Sequence, residues 1–244
     1  MSEFKSIYGI RAIIEAIDAG QSIDKIFIQQ GLDGPLIKEL KSALKRNGIT
    51  PHYVPQEKLY RLSKGNHQGA IAKISPVSFV GIEELVEGAL SKSSNPVFLI
   101  LDQLSDVRNF GAIIRTAECT GVSGIIIQKQ GSAPINADTV KTSAGAVFNM
   151  PICKVDHVKD AIYFLQGSGI KIIAASEKAT DLVYNLDLKE PIALIMGSEG
   201  RGINPSVLKI SDHLVKLPII GKIDSLNVSV ACGAILYEVV RQRI

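Results

Sequence analysis

From Tyr8 to Ala19 the apolar residues Ile10, Ile13, Ile14 and Ile17 recur at i, i+3, i+4 and i+7, the spacing that lines one face of a helix. Lys25–Gln29 (KIFIQ) reads as a strand. A second helix is predicted to open at Pro35, where a missing N–H costs nothing. It carries Leu36, Ile37, Leu40 and Leu44 until Asn47-Gly48 stops it. Short strands near His52–Val54 and Ala70–Ile74 flank a helix predicted over Gln56–Ser63. After residue 96 the alternation becomes more regular. Strands are predicted at Val97–Leu101, Gly124–Gln128, Ile152–Val155, Lys171–Ala175, Ile192–Met196 and His213–Leu217. Helical periodicity falls at Gly111–Thr120, Ala137–Gly145, Asp156–Gln166, Pro205–Ser211 and Asn227–Arg241. Continuous apolar strands separated by helices predict an α/β fold, with a parallel sheet covered on both faces. Ligands of such sheets sit beyond the C-terminal ends of the strands.

Between the two patterns lies Gly81–Pro96, GIEELVEGALSKSSNP, which ends in a Ser/Lys/Asn/Pro cluster and carries the one acidic surplus along the chain. Domains are therefore predicted at residues 1–75 and 96–244, with 76–95 as a linker. The first is a compact α/β module.

Composition narrows the class. Of 244 residues, 46% are hydrophobic and 21% charged, as in an ordinary soluble globular protein. No apolar run approaches a membrane span, and MSEFKSIYGIRA lacks the basic-then-apolar layout of a signal peptide. Cys119, Cys153 and Cys232 lie far apart and are expected as reduced, buried thiols, so a cytoplasmic location is expected. His52, His67, His157 and His213 have no metal-ligand spacing. The net charge of +3 is uneven: residues 1–75 hold 11 Lys/Arg against 7 Asp/Glu, whereas residues 96–244 hold 15 against 14. A basic front half suits a polyanion such as RNA or DNA, although such a surplus is also common on solvated surfaces.

Three segments carry candidate chemistry, each at a strand end or helix start. In Asn109–Glu118, NFGAIIRTAE, Asn109 is a natural helix cap. Arg115 either pairs with Glu118 at i, i+3 on the surface or offers its planar guanidinium to a phosphodiester. In Leu194–Ile203, LIMGSEGRGI, an apolar strand runs into a glycine-rich turn. Glu199 sits where a phosphate loop would carry backbone donors and a lysine, so the turn suits a cation or a hydroxyl rather than a phosphate. No G-x-G-x-x-G follows the first strand and no G-K-[ST] occurs, which argues against an ordinary dinucleotide site and a nucleotide triphosphatase. In the third segment, LPIIGKIDSLNVSVACGAILYE, Asn227 suits a helix cap with Ser225 two residues before it. The helix it opens is rich in small residues that allow close packing, within the chain or against a second subunit.

Taken together and in this order, the three segments resemble the signature motifs of the SpoU (TrmH-like) family of RNA ribose 2′-O-methyltransferases, within the SPOUT class. The resemblance covers roughly residues 96–244 and implies a deep trefoil knot in the C-terminal domain. In the front half, YGIRAIIEAI and NHQGAIA look like the L30e-like substrate-binding domain of the RlmB-type branch, which acts on guanosine in 23S ribosomal RNA. The resemblance implies S-adenosylmethionine as cofactor, with Gly197, Leu217, Ile219 and Leu226 lining its pocket. It places Asn109, Arg115, Glu199, Ser225 and Asn227 at the catalytic and substrate-binding positions. A homodimer and a ribosomal RNA substrate are implied, with tRNA or another ribosomal site as the alternative, and a non-catalytic RNA-binding protein as the rival of a different class. Lys38, Lys41, Lys45, Arg46, Arg61 and Lys64 are the residues expected to meet RNA phosphates.

Overall fold

The computed structural model describes residues 6–63 and 65–244. The chain divides into two compact units, one reaching to Ser78 with the short stretch Ile135–Ala137 grouped with it, the other formed by Phe79–Pro134 and Asp138–Ile244.

The first unit is a four-stranded sheet in the order β1-β4-β2-β3, with β1 Ser6–Tyr8, β2 Ile23–Gln29, β3 His52–Val54 and β4 Ala70–Ile74. β4 runs antiparallel to β1 and β2, and β3 runs parallel to β2. The period of two along β2 sorts its side chains. Ile26 and Ile28 share a core with Ile13 and Ile17 of α1 (Ile10–Asp18) and with Leu40 and Leu44 of α2 (Pro35–Arg46). Phe27 packs on the other side with Val54, Ile71 and Leu59 of α3 (Gln56–Leu62). β1 is not foreshadowed in the sequence pattern. Three residues are too short for a period, and its partner lies some sixty residues further on.

The second unit is a seven-stranded, wholly parallel sheet in the order β7-β6-β5-β10-β8-β11-β9. Its strands are β5 Val97–Leu101, β6 Gly124–Gln128, β7 Ile152–Val155, β8 Lys171–Ala175, β9 Asp181–Leu182, β10 Ile192–Met196 and β11 His213–Lys216. Its helices are α4 Ile82–Leu90, α5 Val107–Cys119, α6 Ala137–Thr142, α7 Val158–Gly167, α8 Pro205–Leu208 and α9 Val228–Arg243. Every residue of β5 and of β10 is buried, as strands covered on both faces must be. The late strand β10 inserts between β5 and β8, in register from Ile192 opposite Val97 to Met196 opposite Leu101. Crossovers lead away to both sides of this point, so it is the switch point beyond which a ligand is expected.

Four expectations are corrected. The stretch 76–95 is not a linker: Val80 pairs with Cys153, and Leu85, Val86 and Ala89 of α4 are buried in the core of the second unit. The acidic surplus is the solvent face of that helix, where Glu83, Glu84 and Glu87 are exposed. A Cβ at Gly124 would overlap the Leu85 side chain, so α4 lies hard against β6. The helix expected from Gly111 begins four residues earlier, at Val107, because Asp106 caps it. Cys119 is exposed at the end of α5, whereas Cys153 and Cys232 are buried and burial pushes their thiols up to about 11 and about 12. The helix expected to reach Gly145 ends at Thr142, and a left-handed turn at Ala144 and Gly145 leads into a short 3-10 turn at Ala146–Phe148. Among the described residues no helix is long and apolar enough to cross a membrane.

Candidate cofactor pocket and catalytic cluster

The glycine-rich turn leaves the end of β10 and closes on itself. The Ser198 N–H donates to Gly202 O (3.1 Å) and the Gly202 N–H donates back to Ser198 O (2.9 Å). Gly197 is obligatory here, since a Cβ would fall inside the backbone of Gly202 and Ile203. Gly200 and Gly202 take left-handed dihedrals (φ 83° and 68°) that other residues adopt only with strain. A residue that no sequence motif marks fixes the base of the turn. Asp102, buried at the end of β5, accepts the Asn204 N–H at 2.7 Å, while its own N–H donates to Met196 O at 2.9 Å. Burial raises the Asp102 pKa and the Asn204 bond opposes that shift. An acid directly after a wholly apolar strand is the signal that could have found it.

The turn carries Glu199 to the start of α9. There the Asn227 side chain uses both of its ends. Its Oδ1 caps the helix, accepting the N–H groups of Ser229 (3.0 Å) and Val230 (3.3 Å) and the Ser229 hydroxyl (2.6 Å). Its Nδ2 donates to Glu199 Oε1 at 2.7 Å and to Asn109 Oδ1 at 3.0 Å. One amide therefore ties the three sequence segments together. Asn109 is not a cap. It lies in the first turn of α5, and its N–H donates to Asp106 Oδ1 at 2.8 Å, which leaves the Asn109 side chain available to Asn227. α5 is drawn close to α6, where a Cβ at Gly111 would overlap Thr142, and it packs along α9, where Gly233 faces Thr116.

Beyond the ends of β8, β10 and β11 the second and third segments line a cavity of about 420 Å³, within the ordinary range for a small-molecule site, and Asn109 is not in its wall. Gly197, Leu217, Ile219 and Leu226, the four expected cofactor residues, all line it. So do Glu199, Ser225 and Asn227. Glu177, Lys216 and Asp224 also stand in the wall, although no sequence signal singled them out. Three carboxylates (Glu177, Glu199, Asp224) against one ammonium (Lys216) favour a ligand of net positive charge.

Arg115 is not part of that wall. It is exposed on α5 and forms no ion pair with Glu118 among the described residues, so the surface pairing considered from spacing is not made. In the first unit Lys38, Lys41, Lys45, Arg46 and Arg61 are exposed. Arg46 lies 3.9 Å from Asp18, and Lys41 Nζ lies 5.7 Å from the centre of the Tyr53 ring. Lys64 lies outside the described residues.

A parallel α/β sheet with a closed glycine turn over a cavity at its switch point is an arrangement that takes a small-molecule ligand. Solved structures that share the fold include RNA-modifying enzymes. An AdoMet-bound rRNA methyltransferase from Sinorhizobium meliloti matches with a TM-score of 0.63 at 24% identity, over 98% of this chain and 87% of that one. The A. aeolicus TrmH/SpoU tRNA modifying enzyme matches with a TM-score of 0.57 at 30% identity, over 66% of this chain and 81% of that one. The chain belongs to the SpoU rRNA methylase family: residues 96–237 match that family, and residues 6–80 match the RNA 2′-O ribose methyltransferase substrate-binding family. YacO of Bacillus subtilis (strain 168), named for the TrmH family of tRNA/rRNA methyltransferases, is 34% identical over 237 residues, 97% of this chain and 95% of the relative. A relative from Staphylococcus aureus (strain MSSA476), named for the same family, is 36% identical over 238 residues, 97% of this chain and 96% of the relative.

Proposed function

We propose that this RNA methyltransferase uses S-adenosylmethionine to methylate the ribose 2′-OH of a guanosine in 23S ribosomal RNA, as a cytoplasmic homodimer. The observation that carries the reading is the amide of Asn227, which joins Asn109 and Glu199 at the wall of the cavity. The cavity fits the cofactor: its volume suits a nucleoside-sized ligand, its glycine turn leaves backbone groups approachable, and its acidic balance complements a sulfonium and an ammonium. Bound there, the cofactor supplies a methyl carbon made electrophilic by a positive sulfur. Gly197, Leu217, Ile219 and Leu226 would hold it, in the loops that the family's knot passes through, and the knot itself is part of this reading.

The chain's own polar groups then act on the nucleotide. A ribose hydroxyl is a weak nucleophile and loses its proton as it attacks. Arg115 does not take that proton, because a guanidinium stays charged in proteins. Its fork holds the neighbouring phosphate and its charge stabilises the developing alkoxide, while the phosphate or a water accepts the proton. Asn109, Glu199, Ser225 and Asn227 orient the ribose. A purified preparation that gives no heat of association with S-adenosylmethionine or S-adenosylhomocysteine would end this reading. Arg115→Ala is expected to abolish single-turnover methyl transfer with cofactor affinity retained, and Arg115→Lys to fail as well, because an ammonium cannot make two parallel bonds.

A second reading keeps the chemistry and changes the RNA to a tRNA, favoured by relatives named for both substrates and by a solved structure named for tRNA. Mapping 2′-O-methyl sites in RNA from a deletion strain and its complemented counterpart separates the two.

A further inference from the structure

The first unit ends, on one side, in an open sheet edge. Among the described residues β3 pairs with β2 alone, and Pro51 and Pro55 flank its three residues. So short an edge, bounded by prolines, is a poor template for an added peptide strand. Its side chains have another character. Tyr53 is 48% exposed on one face of the edge, with Lys41 of α2 at cation–π distance. On the other face His52 is half-buried against the Phe27 ring at 5.6 Å. Burial chiefly lowers the His52 pKa, and the charges of Lys25 and Lys58 lower it further, against Asp24. On α2, Lys38 and Lys45 fall on the same helical face as Lys41, at i−3 and i+4 from it.

An exposed aromatic ring beside a row of lysines is the arrangement that takes an unpaired nucleic-acid strand, with a base stacked on the ring and phosphates on the ammonium groups. We infer that the β3 edge binds a single-stranded segment of the RNA substrate, with Tyr53 as the stacking platform and Lys41, together with Lys38 and Lys45 along the same face of α2, as its phosphate contacts. This rests on the reading above that the chain modifies RNA. It assigns a base-stacking residue that no motif singles out. Structured RNAs offer such bases in loops and bulges, where a ring can reach them, and not inside a duplex.

The chain contains no tryptophan, so Tyr53→Trp installs a single fluorophore at the proposed platform. With a short single-stranded RNA of mixed sequence as probe, the emission of that introduced indole is expected to fall saturably with binding. A blunt RNA duplex of the same sequence should leave it unchanged. Tyr53→Ala should weaken oligonucleotide binding roughly tenfold, and Tyr53→Phe should restore it. Lys41→Ala should reduce the slope of log affinity against log salt by about 0.7. Unquenched emission while RNA binds, equal quenching by duplex and single strand, or unchanged affinity in Tyr53→Ala would each overturn the inference. Cofactor calorimetry and methyl transfer on the unsubstituted protein keep the two readings apart. If both succeed and the indole stays unquenched, only the edge assignment falls; if both fail, the catalytic reading falls.

Discussion

Both ends of α9 are held by side-chain hydrogen bonds, and they differ in what those bonds leave over. At its end, Glu238 accepts two bonds from Arg241 and one from Gln242, each at 2.8 Å. Gln242 also bonds the backbone of Leu186 and Leu188, and Arg243 donates to the carbonyls of Leu188, Asn95 and Glu190. These groups hold the chain around residues 186–190, and every partner is structural. At its start, Asn227 caps the helix and reaches Glu199, which lines with it a cavity large enough for a ligand, and Asn109 behind that wall. A polar network turned inward on backbone carbonyls is a fastening. One that spans three chain segments beside a cavity is what the proposed site requires.

The largest effect is expected from separating the two roles of Asn227. Asn227→Asp keeps a good cap acceptor but removes the Nδ2 donor and sets a carboxylate against Glu199. Single-turnover methyl transfer should fall about 100-fold or more, the scale of a misplaced reacting group, with little change in Tm. Retained activity would show that capping alone explains the residue. At the opposite end, Arg243→Ala removes the donor from three carbonyls and should cost about 2 kcal/mol of stability with the rate unchanged, measured by denaturant unfolding and the same assay. A rate loss there would erase the contrast. At the start of α5, Asp106→Ala should cost about 1 kcal/mol, whereas Asn109→Ala should stay within roughly 0.5 kcal/mol and lose activity instead. The reverse order would restore Asn109 as the cap.

The smallest effect is on pH dependence. Hydrogen bonds from Arg241, then Gln242, hold the Glu238 carboxyl down at about 2, against its burial. A depressed carboxylate binds fewer protons folded than unfolded, so its stabilisation is present above the ordinary carboxylate range and is lost as pH falls toward about 2. Glu238→Gln should flatten the acid limb of the stability profile, read as urea midpoints across that range. An unaltered limb would show the network to be too solvated to matter.

Much of the fold is legible in the sequence because it rests on local repetition. β3, β4, β5, β6, β7, β8 and β10 fall where apolar runs predict them, and Pro35 and Asn47 bound α2 as turn chemistry requires. β1 and the two-residue β9 are strands only because distant partners pair with them, and α4 reads as a linker because its acidic face hides three buried positions. Within the site, Gly197 stands out in the sequence. Its reason, a backbone crossing that leaves no room for a Cβ, exists only in the folded turn.

The sequence by itself determined where strands and helices form, which residue types stand at the strand ends, and which family the three motifs evoke, since periodicity and caps act over a few neighbours. The tertiary structure alone decided that Asp102 anchors the glycine turn, that the Asn109 side chain is taken up by Asn227, and that one asparagine amide joins positions 109, 199 and 227. Those outcomes depend on inserting β10 between β5 and β8, a long-range pairing that brings together hydrogen-bonding groups more than a hundred residues apart.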